Sequence, residues 1–364
     1  MCKFNFKRIK MLVMAVCASM FVPAMACTGI SFIAKDGSKV IARTMEWGGF
    51  QLPAKLILVP RGYTHRAVLP SGEEGMSIKV KYGYAGISVL EHNFAAEAIN
   101  EKGLVGELFY FPGYGEYQTY VPDLKDRTIT DAQFLDWVLA SFATVDELLE
   151  NLNNVRMITY GQGFESAHFN ITDASGHHVV LEFFDGKFHV FENKIGVITN
   201  APSFDWHMTN LNNYVNILAG TNKPRNVGRD ITLKALGVGS ASFGLPGDLT
   251  PTSRFVRASF YVLTARPRAT GFDAVMQSFQ ILNNFDLPIG TEFTNEEDDH
   301  VPTDMLSATQ WTTAIDTKAK KFYYRTEWNS TIRCIDLNEI NFKKAKYQTK
   351  PLDNETHPIE MVHF

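Results

Sequence analysis

Cys27 follows Pro23-Ala24-Met25-Ala26, and everything before it has the form of a removable leader. Met1 to Lys10 is basic, Met11 to Val22 is an apolar run, and small residues stand at 24 and 26. That order of charge, apolar stretch and A-x-A site predicts a secretory signal peptide over residues 1–26. Cleavage after Ala26 leaves Cys27 with a thiol and an α-amine on one residue. An unperturbed thiol titrates near pH ~8.5 and an α-amine near ~7.7–8.0, so the amine can serve as base for its own thiol. A nearby cation favours the thiolate further. Arg43 falls on the return strand of a hairpin that starts at Cys27, and Glu46 follows three residues later as an acid that could hold or orient the amine. The other use of a cysteine at this place is lipid attachment, which would make the chain an anchored binding protein. Met25 makes Ala24-Met25-Ala26 a poor box for that, and lipidation would block the amine.

The remaining chemistry-bearing residues are weaker candidates. His177-His178 beside a Ser-Gly turn is expected to be solvated. There is no HExxH, no CxxC and no regular His/Cys spacing, so neither a metal nor a cofactor is expected. Glu296 to His300 is expected to be a wet acidic loop without the spaced oxygens of a calcium site. Gly244-Leu245-Pro246-Gly247-Asp248 lacks the GK[ST] of a phosphate loop and is expected to be a turn; no G-x-S-x-G elbow is present. Cys27 and Cys334 remain once Cys2 and Cys17 leave with the leader, and one bridge between them is the plain structural reading.

The elements that must position these groups follow from pattern. Residues 28–34 and 39–44 alternate around Lys35-Asp36-Gly37-Ser38, which predicts a hairpin. A β-rich stretch runs from His168 to Asn200, and residues 320–341 predict a further hairpin. Thr130…Gln133 and Thr144…Glu147 are capping-box signatures ahead of helical apolar spacing, and helices are expected near 252–264 and 271–284. The chain has 364 residues, 45% hydrophobic and 20% charged, which excludes disorder and a long coiled coil. Without the leader, 31 Lys and Arg stand against 39 Asp and Glu, a net −8 that argues against nucleic-acid binding. The leader's apolar run falls short of the roughly 20 residues of a membrane span. One domain over 27–364 with sheets and helices in layers is expected.

Several segments, in order, resemble the choloylglycine hydrolase and penicillin V acylase family. They are Cys27-Thr28-Gly29-Ile30, Ala42-Arg43-Thr44-Met45-Glu46, Asn100-Glu101-Lys102-Gly103-Leu104 leading into Tyr110-Phe111-Pro112-Gly113, Val197 to Pro202, Asn210 to Tyr214, and Ser253 to Ala258. The resemblance implies an α+β, four-layer αββα N-terminal nucleophile hydrolase. It also implies hydrolysis of a small-molecule amide by Cys27, supported by Arg43, Glu46 and Arg254. Asn200 would donate its side-chain amide to the oxyanion, with the Tyr110 backbone N–H as second donor. Glu46 departs from the Asp common in the family, and Tyr110 is the residue typical of penicillin-type members. Conjugated bile salts are the leading substrate; penicillin V or another N-acyl amide, such as an acyl-homoserine lactone, is the alternative. The resemblance further implies a homotetramer assembled through residues near 212–243, and the leader implies export to a periplasm.

Overall fold

A computed structural model of the chain describes residues 26–48, 51–90, 94–161, 166–288, 291, 308–353 and 362–363. Residues 1–25 of the expected leader and the Glu296–His300 run lie outside the described residues.

The chain opens with β1 (Cys27–Ile33) and β2 (Lys39–Trp47). Then come β3 (Lys55–Val59), β4 (Tyr84–Val89), β5 (Phe94–Asn100) and β6 (Val105–Tyr110). After two helices, α1 (Phe134–Ser141) and α2 (Val145–Asn151), it forms β7 (Ala167–Thr172), β8 (His178–Phe184), β9 (Lys187–Glu192) and the short β10 (Val197–Ile198). Three more helices follow: α3 (Phe204–Asn210), α4 (Pro251–Thr264) and α5 (Gly271–Leu282). The last strands are β11 (Ala308–Asp316), β12 (Lys321–Thr326), β13 (Arg333–Asp336) and β14 (Gln348–Pro351).

Two antiparallel sheets result, one in the order β10-β1-β2-β11-β12-β13 and the other in the order β9-β8-β7-β6-β5-β4-β3-β14. Helices α4 and α5 cover the outer face of the first sheet, and α1 covers the second across β5 and β6. This is the αββα sandwich expected from the resemblance. Both faces of the central strands are therefore covered, and β2 is buried from Lys39 to Glu46.

The hairpin at the start forms as its pattern predicts, with Gly37 at φ +84° in the turn. Gly29 is required by packing: a Cβ there would sit 2.6 Å from Ile198 and 2.7 Å from Phe109. The helices at 251–264 and 271–282 match expectation. Thr250 caps α4 by accepting from the Ser253 N–H, and Thr270 with Asp273 forms a full capping box on α5. Thr144 caps α2 through the Glu147 N–H at 3.1 Å. Thr130 does not cap α1. Residues 131–133 form a tight turn first, and the Thr130 hydroxyl goes to the Gln133 side chain, whose Oε1 also accepts from the Val68 N–H. A tertiary partner, the Val68 N–H, has taken over the Gln133 side chain.

Candidate active site

Cys27 heads β1, with its side chain only 1% exposed. The hairpin register pairs it with Met45 and pairs Gly29 with Arg43. Side chains alternate along a strand, so Cys27, Arg43 and Met45 all point toward the second sheet. Cys27 Sγ lies 3.8 Å from Met45 Sδ, and Arg43 Nη2 donates to that same sulfur at 3.5 Å. Arg43 also donates from Nη1 to the Leu108 carbonyl at 2.5 Å and lies 4.2 Å over the Phe109 ring. Its place beside the nucleophile is thus set by β2 from below and β6 from above.

Glu46 is three residues from Arg43, an odd step that puts it on the opposite face of β2. There Thr309 Oγ1 donates to Oε1 at 3.1 Å, while Oε2 is buried without a hydrogen-bond partner. Burial pushes its carboxyl up to about 8, against the pull of Arg254. The nitrogen of Cys27 goes to Asn200 instead, donating to Oδ1 at 2.8 Å.

Asn200 arrives through β10. That strand pairs Ile198 with Gly29, and continuing the antiparallel register by two residues brings Asn200 opposite Cys27. Its Oδ1 accepts a second bond from Arg254 Nη2 at 2.8 Å, and its Nδ2 donates to the Tyr110 carbonyl at 2.8 Å. Guanidinium is donor-only and a carbonyl acceptor-only, so the amide has one permitted orientation. Arg254, in the first turn of α4, reaches through the first sheet's edge. It donates from Nη1 to the Cys27 carbonyl at 2.5 Å and to Thr28 Oγ1 at 2.9 Å, and from Nε to the Leu249 carbonyl. One hydrogen-bonded set therefore joins Cys27, Asn200, Tyr110 and Arg254, with Arg43 beside it.

Burial raises the Cys27 thiol; Arg43 lowers it, the Glu46 carboxyl raises it, and Arg254 lowers it again. The desolvated thiol is a poor spontaneous thiolate, so reaction requires a base within the site. Among the described residues no trio of His, Cys, Asp or Glu is placed to hold a metal ion, and no helix is long and apolar enough to cross a membrane.

A family model of linear amide C–N hydrolases, the choloylglycine hydrolase family, matches residues 27–354, beginning at this cysteine. The chain belongs to the choloylglycine hydrolase family. It is 33% identical to the bile salt hydrolase/transferase of Clostridium perfringens, over 93% of this chain and all of that one. It is 25% identical to the penicillin V acylase of Pectobacterium atrosepticum, over 96% and 92% of the two chains. A crystal structure of a conjugated bile acid hydrolase variant from Clostridium perfringens superposes with TM-score 0.80 at 31% identity, covering 93% of this chain and all of that one.

Beside Cys27 of this choloylglycine hydrolase family member opens an apolar pocket, part of it open to solvent. Cys27, Met45, Trp47, Leu52, Val89, Leu90, Phe94 and Tyr110 are among its walls. Strands β2, β5 and β6 supply most of it. Cys27 and Cys334 are both free, so the expected bridge is absent; Cys334 is exposed on β13, at the far edge of the first sheet. His178 is buried, not solvated, and bonds Asn170 Oδ1 at 2.6 Å. His177 lies between Asp146 and Glu192.

Sequence reading missed the layer behind Arg43. Glu97 on β5 and Glu107 on β6 are register partners, both fully buried, and both feel the Arg43 charge. The signal was available: two acids embedded in otherwise apolar strands, at FAAEAIN and VGELFY. It also missed His168 and His207, which touch the Asn200 segment.

Proposed function

We propose that the chain, cut after Ala26, hydrolyses the amide bond of glycine- or taurine-conjugated bile salts with Cys27 as nucleophile. The observation that carries this is the apolar pocket opening directly on Cys27, which suits an apolar acyl group. Full-length likeness to a bile salt hydrolase/transferase supports it.

The freed α-amine of Cys27 would keep the place its nitrogen holds now, against Asn200 Oδ1. It takes the thiol proton as Sγ attacks the amide carbonyl, forming the C–S bond and a tetrahedral oxyanion. Arg43 and Arg254 favour the sulfur anion. Asn200 Nδ2 spends one hydrogen on the Tyr110 carbonyl and has a second for the oxyanion. The N–H of Tyr110 lies on the same side of its strand as that carbonyl. Collapse breaks the C–N bond, and the α-ammonium passes its proton to the leaving amine of glycine or taurine. Water, deprotonated by the same amine, then cleaves the thioester.

Penicillin V, or another N-acyl amide such as an acyl-homoserine lactone, is the second reading; Tyr110 at the pocket wall favours it. Lipid attachment at Cys27 is disfavoured because Met25 makes Ala24-Met25-Ala26 a poor attachment box. The leader supports export to a periplasm. Val215, Leu218, Leu236, Val238 and Phe243, all well exposed, support assembly of a homotetramer through the arm around residues 212–243; light scattering that finds monomers would overturn the assembly.

The test of substrate is the ratio of kcat/KM for glycocholate to that for penicillin V, using protein that begins at Cys27. A ratio well above one supports the bile salt reading. A ratio well below one replaces it with the acylase reading.

A further inference from the structure

We infer that two buried histidines, His207 and His168, are positioning residues that hold Asn200 in register with the nucleophile; this rests on the reading of Asn200 as oxyanion donor. His207 on α3 donates from Nε2 to the Asn200 carbonyl at 2.9 Å. His168 on β7 donates from Nε2 to the preceding carbonyl, that of Thr199, at 3.0 Å. A carbonyl oxygen can only accept, so each Nε2 carries a hydrogen.

These bonds matter because they fix the segment's backbone, whereas its other anchors act through side chains, those of Asn200 and the Thr199 hydroxyl, which donates to the Pro251 carbonyl at 3.0 Å. The strand β10 contributes two residues to its sheet and pairs only through Val197 and Ile198. Thr199 and Asn200 lie beyond that ladder, and their carbonyls are claimed by the two rings.

The rings also tie the segment to its partners. The His207 ring stacks on Phe255 at 4.5 Å and 10°, and Phe255 follows Arg254. The His168 ring stacks on Phe111 at 4.5 Å and 12°, and Phe111 follows Tyr110. Arg254 and Tyr110 are the residues that bond the Asn200 amide. Each histidine thus fixes a backbone carbonyl to the element that also grips the side chain. Glu182 completes the clamp: its Oε1 accepts from the Phe204 N–H at 2.8 Å and sits 3.3 Å from His168 Nδ1.

A shift of about 1 Å in a catalytic group can cost on the order of 100-fold in rate. His207→Phe keeps a flat ring against Phe255 and deletes the donor. His207→Gln keeps a donor and deletes the stack. With whichever of glycocholate and penicillin V the wild type turns over faster, His207→Phe is expected to lower kcat roughly 10- to 100-fold with KM nearly unchanged. His207→Gln is expected to recover most of that loss. Should His207→Phe not fold, His207→Met has similar volume, no donor and the same expected loss. Wild-type kcat in the donorless variant, or an equal loss in His207→Gln, overturns the clamp. Asn200→Ala, run in parallel, separates the two failures. If it lowers kcat and His207→Phe does not, only the clamp fails. If it leaves kcat unchanged, the role of Asn200 fails and the clamp with it.

Discussion

The nitrogen of Cys27 donates a 2.8 Å hydrogen bond to Oδ1 of Asn200, 173 positions further along the chain. The same oxygen accepts from Arg254, and the amide nitrogen on its other side reaches Tyr110. Asn200 is therefore the joint at which the strand bearing the nucleophile, the end of β6 and the start of α4 meet. A residue so placed touches the nitrogen of Cys27, and in the proposed mechanism the same side chain faces the oxyanion.

Replacing Asn200 with Ala should lower kcat by about 10²- to 10³-fold, the usual cost of losing an oxyanion donor. Asn200→Asp should be comparably slow, because it presents an acceptor to the Tyr110 carbonyl. Steady-state kinetics on both variants decides; kcat within a few-fold of wild type in Asn200→Ala would remove Asn200 from the mechanism.

Much of this site was legible before the fold was known. The strand pairing of residues 28–34 with 39–44 follows from alternation, and it places Arg43 beside Cys27. Arg254 and Asn200 came from resemblance alone, since nothing in local pattern joins positions 27, 200 and 254. Glu46 was expected at the Cys27 amine, but its odd step from Arg43 puts it on the other face of β2, and Asn200 takes that nitrogen. Thr130 failed as a cap because Val68, distant in sequence, claims Gln133. His178 failed as a solvated residue because Asn170 and the second sheet enclose it. Long-range partners decided both.

The buried acids behind Arg43 are unequally hydrogen-bonded. Like charges directly opposite on adjacent strands are destabilising, and Arg43 is the cation both acids feel. Glu97 accepts from Trp311 Nε1 and from Thr313 Oγ1, both at 2.5 Å, and indole can only donate. Glu107 accepts one bond, from Asn170, leaves Oε1 unpaired, and is pushed up to about 8 by burial. Burial raises Glu97 as well, against the pull of Arg43 and of its two hydrogen bonds; with two donors Glu97 is the better-held anion, and Glu107, with one, the better-held acid. Glu97→Gln should destabilise by about 3 kcal/mol or more in denaturant titration, whereas Glu107→Gln should be near neutral at pH 7. Equal losses in the two variants would contradict the assignment.

Stability should fall as pH rises from about 6.5 to 8. Burial holds Glu46 and Glu107 up to about 8, and Asp131 and Asp136 up to about 7. In that window the folded chain keeps protons that the unfolded chain has released, so rising pH favours unfolding. Buried His65 and His207, lowered to about 4 by burial, act in the opposite direction, but only below about pH 6.5. Melting temperatures at constant ionic strength should be lower at pH 8 than at pH 6.5, with a smaller difference in Glu107→Gln. A midpoint that rises across the window would refute the buried-acid account.

The two free cysteines should part company under mutation. Cys334 is exposed on an edge strand far from the pocket, so Cys334→Ser should leave kcat/KM unchanged. A marked loss there would mean that the far edge of the first sheet communicates with the site.

The central claim is a covalent acyl group on the sulfur of an N-terminal Cys27. The direct measurement is mass spectrometry of acid-quenched protein beginning at Cys27, mixed briefly with glycocholate or penicillin V. The expected result is an acyl adduct on the Cys27 peptide, labile to hydroxylamine as a thioester is, and absent from a Cys27→Ala variant that no longer turns over substrate. Continued turnover by Cys27→Ala, or an acyl group on any other residue, would contradict it.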